Sequence, residues 1–122
     1  MILDSIVRRK RLELKEARAK RSLADLRSEA RSSPPLREFE SALRTEGEVS
    51  IIAEIKRASP RTGPLIENLS PASFAKQYEE GGARAISVLT DEKFFHGSFD
   101  DLAAARAAVS LPVLRKDFLI DE

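Results

Sequence analysis

A chain of 122 residues has room for one small domain with a modest core. With 42% hydrophobic and 34% charged residues it reads as globular, and a net charge of +1 supplies no field to draw nucleic acid or an acidic membrane surface. No cysteine and a single histidine, His96, leave no disulfide, no cysteine nucleophile and no thiolate or histidine-rich metal site.

No apolar stretch approaches the ~20 residues of a membrane helix. The opening Met1-Ile2-Leu3-Asp4 lacks the apolar core of a signal peptide. A cytoplasmic protein is therefore expected, the alternative being an exported one whose signal has been removed.

In chain order, residues 1–48 are expected to form a helical extension and 49–122 a strand–helix region. Leu3, Ile6, Val7, Leu14 and Ala17 recur at helical spacing beside a heavily basic remainder. A second helix is expected from Ser22, its cap, to about Ala30, ended by Ser32-Ser33-Pro34-Pro35. A third near Leu36 to Arg44 stacks Phe39 and Leu43 one turn apart.

From Glu48 the pattern changes to strand, loop, helix, repeated. A strand from about Val49 to Lys56 leads into a loop rich in Ser, Pro, Arg, Thr and Gly. Ser70-Pro71 opens a helix that buries Phe74 and Tyr78 and stops at Gly81-Gly82. Ala85 to Leu89 is continuously apolar, as in a parallel strand buried on both faces. Phe94-Phe95-His96-Gly97 reads as a loop, Ser98 and Asp101 as the start of a further helix, and Pro112 as the start of a third strand. Three parallel strands cannot close on themselves. The expected fold is α/β, the front portion of a larger parallel architecture.

Alternation turns Ile51, Ala53 and Ile55 toward the helices and Ile52, Glu54 and Lys56 the other way, with Leu114, Lys116 and Phe118 beside them. In a β/α barrel that is the inward side, and catalytic groups project from the strand ends. Two lysines, a glutamate and an aromatic wall suit an anionic molecule carrying a ring. A lysine partly desolvated beside a second cation can act as an acid or base near neutrality. An ion pair between Glu54 and Lys56 with no part in chemistry fits the same spacing. Ser59 either donates to an oxyanion or only supports a turn. Phe94 and Phe95 compete for a place in the core, and His96 reads as a loop residue before a general base.

IIAEIKRASPRTG, YEEGGARAISVLTDEKFFHGSFDDL and LPVLRKDFLID closely resemble indole-3-glycerol phosphate synthase, from about Val49 to Asp121. The resemblance implies a partial (β/α)8 TIM barrel: its first three parallel strands, preceded by N-terminal helices. It implies ring closure of 1-(2-carboxyphenylamino)-1-deoxyribulose 5-phosphate, a small phosphorylated anion, with loss of carbon dioxide and water and without metal or cofactor. Lys116 looks like the general acid and Lys56 a contact to the substrate's charged groups, oriented by Glu54. Ser59 would bind the departing carboxylate, with Phe118 and Phe95 packing on the ring. The family's remaining catalytic and phosphate-binding groups lie on later strands, so this chain alone is expected to be inactive.

Two further readings stand beside this one. A non-catalytic half-barrel would self-associate through its open sheet edge. A nucleic-acid tether in the basic first helix is opposed by its acidic neighbours and the near-zero net charge.

Overall fold

The computed structural model describes residues 1–122, which form two compact units, 1–35 with 118–122, and 36–117. In the first, α1 (Ile2–Lys20) has Ile6 and Lys10 as its buried positions. Lys10 Nζ meets Glu13 Oε2 at 2.9 Å, one turn along. Helix α2 (Leu23–Arg31) begins with a reciprocal cap: Ser22 accepts from the Asp25 N–H while the Asp25 carboxylate accepts from the Ser22 N–H. Those bonds from Ser22 hold the Asp25 carboxyl below its ordinary value. Arg18 and Arg27 reach Asp121 and Glu122 at 2.7 and 2.9 Å, tying the last residues to the helices. No helix is long and apolar enough to cross a membrane.

The second unit runs α3 (Phe39–Leu43), β1 (Ile52–Ile55), β2 (Ala58–Ser59), β3 (Gly63–Pro64), α4 (Pro71–Glu80), β4 (Ala85–Leu89), α5 (Glu92–Phe95), α6 (Phe99–Ala108) and β5 (Val113–Lys116). Strands β1, β4 and β5 pair in parallel in that order, with β4 central. Every residue of β4 is buried, Ser87 among four apolar ones, as expected of a parallel strand covered on both faces. Ile55, Ile86 and Val88 join Leu69, Ala75, Ala105 and Val109 in one core, flanked by Phe74, Tyr78 and Leu102. The residues inside come from α4 and α6, from Leu69 and Val109 at their ends, and from one face of the sheet. Fully burying a side chain such as Ile86 contributes about 1.5–3 kcal/mol. On the other face Ile52 and Leu114 are exposed.

The helix ends follow from their sequence. Ser70 Oγ accepts from the Ser73 N–H with Pro71 in the first turn, and Gly82, at φ 91°, takes the chain out of α4. The Phe74 and Tyr78 rings meet edge-on, 6.1 Å apart. Arg37 donates to the carbonyls of Arg106 and Leu111, closing the otherwise open end of α6.

Three features differ from the sequence reading. Strand β1 is shorter than 49–56, and Val49 and Ile51 are exposed, so only Ile55 of the supposed helix-facing set reaches the core. The loop after β1 contains a short antiparallel hairpin, β2 with β3, because Gly63 at φ 69° permits the reversal. Residues 92–95 form one helical turn rather than a loop: Asp91 Oδ1 accepts from the Phe94 and Phe95 N–H groups at 2.7 and 3.2 Å.

Candidate functional site

The sheet register sets the site. Glu54 lies opposite Ser87, Ser87 opposite Leu114, and Leu89 opposite Lys116. Paired positions share a face, so Glu54 and Lys116 project on the side away from Ile86 and Val88. Ser87 Oγ donates to Glu54 Oε2 at 3.4 Å, and Lys56 Nζ stands 3.7 Å from Glu54 Oε1. The Tyr78 hydroxyl donates to the Glu54 carbonyl at 3.0 Å and so anchors the strand that carries both charges.

The expected Glu54–Lys56 pair is thus present, with side chains 39% and 36% exposed. A pair so open to water contributes roughly 0–1 kcal/mol. Stability alone gives little reason to place it there. Lys116 is on β5, separated from β1 by β4. Two strand spacings put the backbones about 10 Å apart.

Ser59 is in the hairpin. Its hydroxyl lies 2.7 Å from Thr62 Oγ1 and accepts from the Thr62 N–H at 3.2 Å, the turn-supporting arrangement. Phe95 ends α5, which packs against β2, so ring and hydroxyl belong to neighbouring loops. His96 caps α5 at φ 55° and is exposed. Phe118 belongs to the other compact unit. No group of His, Cys, Asp or Glu side chains is gathered as a metal site would require.

Two polar clusters escaped the sequence reading. Arg57 forms a double hydrogen bond with Asp101, Nε to Oδ2 at 2.7 Å and Nη2 to Oδ1 at 2.8 Å. The bond to Asp101 raises the Arg57 guanidinium above its ordinary value, against partial burial. The spacing from Ser98 marks Asp101 as a cap residue, yet only its N–H serves the cap, donating to Ser98 Oγ. In the second cluster, Thr90 Oγ1 donates to Asp117 Oδ2 at 2.7 Å, Arg115 Nε donates to Thr90 Oγ1 at 3.2 Å, and the Arg115 guanidinium lies 4.6 Å over the Phe99 ring. Thr90 and Asp117 are separated by 27 positions, and no local spacing announces such a pair.

Comparison with known proteins adds a second line. The family profile described as Indole-3-glycerol phosphate synthase matches residues 3–122. The chain is similar to the indole-3-glycerol phosphate synthase of Mycobacterium avium, 50% identical over 119 residues, covering 98% of this chain and 43% of that protein. Against that of Leptothrix cholodnii it is 49% identical over 124 residues, covering 99% of this chain and 47% of the relative. Against that of Mycobacterium leprae it is 49% identical over 119 residues, 98% and 43% respectively. The chain spans under half the length of these relatives.

Proposed function

The chain belongs to the indole-3-glycerol phosphate synthase family, and on that premise we propose that its whole protein closes the indole ring of 1-(2-carboxyphenylamino)-1-deoxyribulose 5-phosphate in tryptophan biosynthesis. The observation that carries this is that Glu54 on β1 and Lys116 on β5 share the sheet face turned away from the core, with Lys56 paired to Glu54. A carbon–carbon bond forms when the ring carbon bearing the carboxylate attacks the sugar carbonyl carbon. Lys116 donates its proton to the carbonyl oxygen as the bond forms. Carbon dioxide then leaves with its bonding electrons returned to the ring, and the new hydroxyl departs with a proton as water while the adjacent methylene carbon releases a proton, its C–H electrons forming the pyrrole double bond.

Lys56 is assigned to the substrate's anionic groups, held by Glu54 at 3.7 Å. Ser59 is assigned to the ring carboxylate and Phe95 to the ring, while the part given to Phe118 rests on the resemblance. A carboxylate entering at Ser59 would replace the hydroxyl's bond to Thr62. No metal or cofactor enters these steps, and the reaction is assigned to the cytoplasm.

General acid catalysis is worth about 10²–10⁴ in rate. Lys116→Ala in the full-length polypeptide is therefore expected to lower kcat at least a hundredfold while leaving the fold intact by circular dichroism. Near-normal turnover would remove Lys116 from the mechanism. The 122-residue segment by itself is expected to turn over no substrate. A second reading, self-association without catalysis, draws on the exposed Ile52 and Leu114 and the unpaired outer edges of β1 and β5. Sedimentation separates the two: a well-folded dimer of the segment favours the second.

A further inference from the structure

The Arg57–Asp101 pair stands at the base of two loops. The Arg57 carbonyl accepts from the Leu65 N–H at 2.8 Å, closing the hairpin that carries Ser59. Its guanidinium meanwhile grips Asp101 in the first turn of α6, just beyond the turn that carries Phe95. Asp101 is fixed in place by its own N–H to Ser98 Oγ at 3.1 Å. Behind Phe95 the chain is pinned again, Gly97 N–H donating to the Asp91 carbonyl at 2.8 Å. One ion pair thus joins the serine loop to the phenylalanine loop.

Its setting differs from that of the molecule's surface pairs. The side chains are 27% and 11% exposed, and both fork hydrogen bonds are short. A guanidinium–carboxylate fork fixes direction as well as distance, which a single lysine contact does not. A substrate whose carboxylate and ring are one rigid group demands a fixed separation between the hydroxyl that holds one and the aromatic that holds the other.

We propose that Arg57 and Asp101 are positioning residues which set the spacing between Ser59 and Phe95, and with it the recognition of a ring bearing an ortho carboxylate. This rests on the function proposed above. Neither side chain is required to touch the substrate.

The test uses the full-length polypeptide and two unreactive ligands, the substrate with its carbonyl reduced to an alcohol, and the same compound lacking the ring carboxylate. Calorimetry gives both affinities for wild type, Asp101→Asn and Arg57→Lys. The variants are expected to lose tenfold or more in affinity for the carboxylated ligand and less than threefold for the other. Equal losses for the two ligands, or no loss, would overturn the proposal, because a merely structural pair weakens both alike. Arg57→Lys keeps the charge and decides the matter should Asp101→Asn fail to fold. A wild-type protein that binds neither ligand would sink the functional reading and this inference with it. Wild-type binding with unaffected variants would sink the inference alone.

Discussion

Replacing Gly97 by alanine would place the new Cβ 2.0 Å from the Leu89 carbonyl oxygen, 2.7 Å from its carbon and 3.2 Å from Thr90 Cα. All three are backbone atoms at the end of the central strand, so no side chain can swing aside. Ordinary contact begins near 3.4 Å, and the two segments would have to part by about 1.4 Å. The Gly97 N–H to Asp91 carbonyl bond, 2.8 Å long, cannot survive that movement. Overpacking costs about 1–3 kcal/mol and a lost hydrogen bond about 1 kcal/mol more. The expected destabilisation is therefore about 2–4 kcal/mol. Urea unfolding of the full-length polypeptide should show it as a lower midpoint at unchanged slope. A loss below about 1 kcal/mol would mean that the end of β4 yields freely, and the reasoning from close approach would fail.

Ile86 is fully buried at the centre of the core, and Ile86→Ala is expected to cost about 2–5 kcal/mol in the same assay; a loss near zero would mean the helices close over the gap. Tyr78→Phe removes the bond to the Glu54 carbonyl and should cost about 0.5–1.5 kcal/mol, with faster amide exchange in β1 as the local readout. The Ser110 hydroxyl and N–H both donate to Glu79 Oε1, at 2.7 and 3.0 Å, and hold that carboxyl below its ordinary 4.5. A depressed carboxylate contributes stability that is fully present above the unfolded value and lost as pH falls through the folded one. The stability gap between wild type and Ser110→Ala should accordingly be steady above about pH 5.5 and shrink below 4.5; a gap independent of pH down to 3 would refute the assignment.

What the sequence made legible were features with a local period or a local cap. Ala85 to Leu89 announced a doubly buried strand, Ser70-Pro71 and Gly81-Gly82 the limits of α4, and Ser22 with Asp25 a reciprocal cap. The Glu54–Lys56 pair was legible because residues two apart in a strand share a face. Partners set by the tertiary fold were not. Arg57 and Asp101 are 44 positions apart, and Asp101 offered a sufficient local explanation as a cap residue. The single turn of α5 is held by Asp91, whose neighbours Phe94 and Phe95 drew attention to the core instead. Val49 and Ile51 are β-formers by composition, yet both are exposed and lie outside β1.

Glu54 and Lys56 have an effect beyond any ligand. If β1 slipped by a single residue against β4, Ile55 would turn out to solvent and both charges would rotate beneath α4. Desolvating two ions costs several kcal/mol each, so the mispaired arrangement is shut out during folding. Exchanging both for apolar residues would erase the distinction between the two sides of β1. Such a chain would be expected to collect in misaligned, sticky forms even where its native contacts had been improved.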